Sequence, residues 1–338
     1  MGNSSKSGAV ALGAIGVGGW AGGMVEKIHQ SDKLRLVACY DISPELREQA
    51  AEKYGCAVAS SVEELVSRAD VEGVVVVTPN FVHREHVVAA AKAGKHIFVD
   101  KPIANEIEDA YAMIDACREA GVALAVGHNF RRFGGQRKLK ELVEEGAPGT
   151  IVAVEANFSH AGGMGLNPQQ WRYYADKAPA LPLIQLGVHC ADTLQHVVGP
   201  IAEVSSFMGH AAIPSENLDV TATLLRFENG VIGYLGSNYA TPAIHYVNIY
   251  GTKANLYTGF GSQVRILWSD HARGEEIIHG PDVDDRLEEL EDFGECVRMG
   301  NRPEVDGEAG IRNLAVVRAA LKSSQEGRPV KLAELLAR

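Results

Sequence analysis

Two stretches of this chain carry side chains suited to moving a proton. One is Asp100-Lys101-Pro102, where a lysine ends an apolar strand pattern beside a proline. Its ammonium could polarise a substrate hydroxyl and lower the cost of an alkoxide. The plainer alternative is a surface lysine paired with Asp100. The other stretch is Gln185-Leu186-Gly187-Val188-His189-Cys190-Ala191-Asp192. At helical spacing Gln185, His189 and Asp192 share one face. Imidazole titrates near neutrality and suits proton exchange with a hydroxyl, and Asp192 could hold it in one tautomer. A lone histidine in an apolar helix is more often a satisfied core residue; the polar groups four before and three after it point toward chemistry.

A third pattern binds rather than reacts. Gly16-Val17-Gly18-Gly19-Trp20-Ala21 fits G-x-G-x-x-G/A between a strand pattern and a helix pattern. There the first glycine permits a tight turn, the second lets a pyrophosphate approach the backbone, and the small last residue allows close packing. Unpaired N–H groups and the helix dipole favour the phosphates. In a chain with 36 glycines the spacing alone is weak. Asp41, 23 residues after Gly18 at the end of the second strand pattern, strengthens it. An acid there takes the adenosine ribose hydroxyls and repels a 2′-phosphate, which implies NAD(H) in preference to NADP(H). Asp41 could instead cap the helix that begins near Pro44. Thr78-Pro79-Asn80-Phe81-Val82-His83 and Asp100-Lys101-Pro102 both follow strand patterns, where open parallel sheets bind ligands. His83 and His86 lie in no HExxH motif and near no cysteine pair, so no metal is expected.

The elements that must position these residues change character along the chain. Strand patterns at Val10–Ile15, Leu34–Tyr40, Gly73–Val77, His96–Val99 and Val122–Val126 alternate with helical ones at Pro44–Tyr54, Arg84–Ala93 and Ile107–Ala120. Apolar runs of this kind predict a parallel sheet covered on both faces. Beyond Gly127 a connecting helix is expected over Phe130–Glu145 and a long strand over Ile151–Phe158. An apolar helix over Gln185–Val198 follows. Strands at Glu203–Met208, Val220–Phe227, Val231–Ser237, His245–Tyr250 and Val264–Trp268 suggest an antiparallel sheet. Helices close the chain at Asp284–Met299 and Gly310–Gln325. The fold class expected is an α/β domain with a doubly wound parallel sheet, then an α+β domain with a large, mainly antiparallel sheet. Boundaries are expected at 1–127, 128–300 and 301–338, the last a C-terminal helix packing back toward the first domain.

Composition excludes some functions. The 46% hydrophobic and 22% charged residues are ordinary for a globular protein of 338 residues. A net charge of −11 argues against a general nucleic-acid or anionic-membrane surface. Five dispersed cysteines with no CxxC pair read as reduced thiols, and a cytoplasmic location is expected. Lys6 before an apolar stretch imitates a short signal peptide, but glycines interrupt it. The start Met-Gly-Asn-Ser-Ser-Lys is an acylation motif broken by Lys6. No apolar run reaches the ~18 residues of a membrane span.

In this order, Gly16–Ala21, Asp41, Thr78-Pro79-Asn80 with His83, Asp100-Lys101-Pro102 and Gly187-x-His189-x-x-Asp192 resemble the glucose–fructose oxidoreductase / inositol dehydrogenase / rhizopine-catabolism (Gfo/Idh/MocA) family. Tyr250-Gly251-Thr252-Lys253, Asp306-Gly307-Glu308 and Gly327-Arg328-Pro329-Val330 extend the likeness over nearly the whole chain. The resemblance implies a Rossmann domain and reversible hydride transfer between a sugar or polyol carbon and nicotinamide. Lys101 would bind and polarise the hydroxyl, and His189 would be the general acid/base. Gly16, Gly18, Gly19, Trp20, Ala21, Asp41, Thr78, Pro79, Asn80, His83, Asp100 and Lys101 would line the cofactor. Arg131, Arg172, Tyr173, Gln185 and Asp192 are candidate substrate contacts. Subunits would pair through the C-terminal sheet as a homodimer or homotetramer.

Two departures from the family pattern stand out. Asp100 replaces the glutamate of an E-K-P motif, and Gln185 stands where many members carry Asp four residues before the histidine. Glutamine cannot exchange a proton at neutral pH. Redox-assisted glycoside cleavage, with tightly held NAD recycled, and a noncatalytic dinucleotide sensor are the alternatives.

Overall fold

A computed structural model describes residues 8–338; the start through Lys6 lies outside the described residues. The chain divides into two compact units. The first runs through His128 and also takes residues 285–311, whereas the second holds 129–284 and 312–338.

In the first unit, strands and helices alternate: β1 (Val10–Ile15), α1 (Trp20–Gln30), β2 (Leu34–Tyr40), α2 (Pro44–Tyr54), β3 (Ala57–Val58), α3 (Val62–Ser67), β4 (Gly73–Val76), α4 (His83–Lys92), β5 (His96–Asp100), α5 (Ile107–Ala120) and β6 (Leu124–Gly127). The sheet order is β3-β2-β1-β4-β5-β6, and every pairing is parallel. β1 and β4 are buried throughout, because helices cover both faces. The reversal of strand order between β1 and β4 creates the switch point at which such sheets bind ligands.

The units divide after His128, and the C-terminal part is shared between them. The helix Asp285–Met299 belongs to the first unit because Leu290 and Phe293 complete its core, packed with Met24, Ile28, Leu34 and Phe98. The Phe98 and Phe293 rings lie 6.0 Å apart. Residues 312–338 belong to the second unit, where the chain supplies an edge strand and the Ser323 and Ser324 hydroxyls accept from Ser206 and Met208 backbone N–H groups.

The second unit comprises α6 (Gly134–Glu144), β7 (Ile151–Ser159), α7 (Val188–Val198), β8 (Ile201–Gly209), β9 (Val220–Phe227), β10 (Ile232–Asn238), β11 (Ile244–Gly251), β12 (Ala254–Thr258), β13 (Gln263–Trp268), β14 (Glu275–His279) and β15 (Val330–Lys331). They form one sheet, β14-β13-β12-β11-β7-β10-β9-β8-β15, antiparallel except where β10 meets β7. The helix expected over Phe130–Glu145 is broken: a 3₁₀ turn, Asn129–Arg132, precedes α6, and Phe133 between them is extended. Gly134 and Gly135 are poor helix formers, and a side chain at Gly134 would collide with the Pro281 carbonyl. Among the described residues no helix is long and apolar enough to cross a membrane.

Candidate functional site

The glycine loop sits where the sequence placed it, between β1 and α1. Gly16 has φ +91°, and a Cβ there would lie 2.6 Å from the Val77 carbonyl oxygen. No side chain caps the N-terminus of α1, and no acid occupies its first turn. The amides and the positive end of the helix dipole are thus offered to an anion. These features fit a dinucleotide pyrophosphate. The Asp41 carboxylate accepts from the Val17 N–H at 2.9 Å and from the Ser43 N–H at 3.0 Å. It ties the glycine loop to the end of β2. The cap of α2 is Ser43, whose hydroxyl accepts from the Leu46 N–H.

The segments after β4 and β5 are fastened to one another. The buried His83 ring contacts the Thr78 carbonyl at 2.9 Å through Nε2, and the Pro102 and Ile103 carbonyls at 3.1 and 3.2 Å through Nδ1. Burial depresses its pKa, the backbone carbonyls oppose this, and the nearby Lys101 charge adds to the depression. His83 therefore acts as a clasp that holds Lys101-Pro102 against the Thr78-Pro79 turn. Asn80, also buried, donates to the Asn105 side chain. The Trp20 indole donates to Asp100 at 3.3 Å, linking the start of α1 to the acid beside Lys101.

The remaining candidates lie in the second unit. A five-residue π-helical turn, Leu183–Gly187, leads into α7. The Ser237 hydroxyl bonds to the Pro182 carbonyl at 2.9 Å and to the Phe158 carbonyl at 2.7 Å, fixing this entry against the sheet. His189 is 4% exposed, and its ring stacks on Phe130 with centroids 4.0 Å apart and planes 20° apart. Phe158 and His245 stand around Phe130 at 5.0 and 5.1 Å. Asp192 receives Arg131 through Nε at 2.8 Å and Nη2 at 2.6 Å, with Asn313 at 2.6 Å. Arg131 is thus buried in a neutralising pair with Asp192, and the Phe130 ring lies against the imidazole plane. Arg172 donates to Gln185 at 3.0 Å, whereas the Tyr173 ring packs against the neighbouring Tyr174 ring.

The glycine loop, Asp41, His83 and Lys101 thus belong to the first unit, and Arg131, Arg172, Gln185, His189 and Asp192 to the second. His160, Asn217 and Tyr239, which bear on the Arg172 loop, were missed; their partners are distant in sequence and no local motif marks them. Among the described residues no group of three or more His, Cys, Asp or Glu is arranged to hold a metal.

Comparison with known proteins decides the family. Residues 10–128 match the oxidoreductase-family model of the NAD-binding Rossmann fold, and residues 136–257 match the C-terminal domain model of the same family. The chain belongs to the Gfo/Idh/MocA oxidoreductase family. The 2,7-anhydro-N-acetylneuraminate hydratase of Escherichia coli is 28% identical, covering 96% of this chain and 97% of that protein. The 1,5-anhydro-D-fructose reductase of Ensifer adhaerens is 31% identical over 81% of this chain and 83% of its own. A crystal structure from Desulfitobacterium hafniense, described as an NADPH-dependent oxidoreductase, superposes with a TM-score of 0.92 at 37% identity and covers 97% of this chain and 99% of its own.

Proposed function

We propose that this member of the family is an NAD(H)-dependent dehydrogenase or reductase of a sugar, a polyol or a related carbonyl compound. When bound, the nicotinamide accepts or returns a hydride at the reacting carbon. Lys101 holds the substrate hydroxyl and stabilises the negative charge that grows on its oxygen. His189 takes the hydroxyl proton during oxidation and returns it during reduction. The reading rests above all on His189, whose imidazole is shielded from water and held in one plane by Phe130. Relatives named for anhydro-sugars support a sugar-like substrate. Asp41 favours NAD(H), since each carboxylate oxygen that holds a backbone N–H keeps another lone pair for a ribose hydroxyl. The relative described as NADPH-dependent makes cofactor choice the first quantity to measure.

A second reading is supported by the hydratase relative and by Gln185. Here a hydroxyl is oxidised transiently, the neighbouring C–H becomes acidic, elimination or hydration follows, and NAD is regenerated. One measurement separates the readings and another tests the residues. NADH absorbance with polyols and aldoses should rise for a dehydrogenase and stay flat when the cofactor is recycled. Lys101→Ala and His189→Ala should each lower turnover by about 10²- to 10⁴-fold. Retention of full rates by both variants would refute the assignment.

The outward face of the sheet in the second unit presents Phe207 at 83% exposure, Leu224 at 57% and Ile232 on three adjoining strands. This apolar face supports a homodimer or homotetramer. Light scattering should show a smaller species for Leu224→Glu. Five free cysteines suit a reducing, cytoplasmic compartment.

A further inference from the structure

Two arginines near the α7 run carry their charge in opposite circumstances. Arg131 is neutralised by the buried Asp192. Arg172 is not: Nε–H is taken by the neutral Gln185 amide, and its guanidinium carbon lies 4.3 Å from the Trp171 ring centroid. Among the described residues no carboxylate lies within 4 Å of the Arg172 guanidinium, and its four Nη–H groups meet no acceptor. That outer edge is the fork that receives a carboxylate or phosphate through two parallel hydrogen bonds.

The surroundings hold this fork ready. The buried Asn217 amide donates to the Ala178 carbonyl at 2.8 Å and reaches the Arg172 and Tyr174 carbonyls at 3.5 Å. The loop bearing Arg172 is thereby pinned to the segment before β9. Tyr239 is close enough for the Arg172 charge to oppose the rise that burial imposes on its phenol. His160 packs on Tyr239 with centroids 4.7 Å apart, and its Nδ1 accepts from the Gly162 N–H at 2.9 Å. The neutral imidazole must therefore carry its proton on Nε2. The local chemistry is one of donors and one uncompensated positive charge, in a chain whose net charge of −11 would otherwise repel anions.

We propose that Arg172, with Tyr239 near it and His160 packed on Tyr239, is a subsite for an anionic group, and that the substrate is a sugar acid or sugar phosphate. The inference deepens the dehydrogenase reading and rests on it, since Gln185 lies four residues before His189 on the same helical run. It also gives Gln185 a physical role. An aspartate at this position would accept the same hydrogen bond but cancel the charge; glutamine orients the guanidinium and leaves the charge to the ligand.

The test uses the full chain loaded with NADH for binding and with NAD for turnover. D-Glucose, D-glucuronate and D-glucose 6-phosphate serve as neutral, carboxylate and phosphate probes. Calorimetry should show at least one anion binding about tenfold or more tightly than glucose, and the stronger arm names the source of the charge. Arg172→Leu should abolish that preference. Gln185→Glu, which adds a charge without changing side-chain length, should reduce it while the thermal midpoint stays near that of the wild type. Equal binding of all three probes by the wild type, or a preference that survives Arg172→Leu, overturns the subsite. Turnover distinguishes the two ideas. An Arg172-dependent anion preference without NADH from any probe supports the subsite and sinks the dehydrogenase reading. NADH formed with equal efficiency from neutral and anionic probes does the reverse.

Discussion

Acid should weaken this protein through His245, by an amount that can be calculated. The ring lies on β11 among Phe130, Phe133, Phe158 and Phe260. Burial pushes its pKa from the ordinary 6.5 down to about 4, with the Gly259 backbone opposing. The native state therefore keeps the ring neutral where the unfolded chain would protonate it. The corresponding stability is complete above pH 6.5 and is lost as the pH falls from 6.5 toward about 4. At about 1.4 kcal/mol per pH unit the full loss is on the order of 3 kcal/mol, most of it already gone at about pH 4.5. His83, His86 and His96 are depressed by burial in the same direction, so the wild-type slope is steeper than His245 alone would give. His245→Phe removes only the His245 share and suits a site walled by phenyl rings. Urea unfolding at about pH 7.5 and about pH 4.5 should show the variant losing roughly 2–3 kcal/mol less than the wild type. Identical losses in the two proteins would refute the argument.

Three other perturbations test separate parts of the structure. Gly16→Ala forces a Cβ against the Val77 carbonyl at a positive φ; it should cost on the order of 2 kcal/mol in thermal unfolding and weaken NADH binding by fluorescence titration. Asp192→Leu strands the Arg131 charge in the interior and should cost about 3–5 kcal/mol, while the double variant with Arg131→Met should recover much of that loss. Asn217→Ala frees the Arg172 loop and should raise KM several-fold with a much smaller change in kcat, at about 1–2 kcal/mol of stability. Equal losses in KM and kcat would place Asn217 elsewhere in the mechanism.

The parallel sheet was legible because both its faces are covered, so β1 and β4 read as unbroken apolar runs. β9 was legible because its alternation matches one buried and one open face. β14 was not: Glu275–His279 is a polar edge strand paired on one side only. β12 escaped notice because it is short and carries asparagine near its start. At the site, local motifs exposed Gly16–Ala21, Asp41, Lys101 and His189, since each needs only near neighbours in sequence. The Arg131–Asp192 pair, 61 residues apart, and the stack of Phe130 on His189 follow from packing of the 3₁₀ turn against α7, which no spacing announces. Spacing alone could relate Asp192 to His189 but could not show that Arg131 also binds both its oxygens.

The return of the helix Asp285–Met299 to the first unit has a consequence for recombination and for synthesis on the ribosome. A nucleotide-binding half cut after residue 128 would lack Leu290 and Phe293 and leave Phe98 without its aromatic neighbour. Exchange of that half with a relative's therefore takes three crossovers, near residues 128, 284 and 311. During translation the first 128 residues must wait, with part of their core open, until more than 150 further residues have emerged. The part of the protein made first is finished after most of the second, because the two units alternate along the chain and each takes a segment after residue 284.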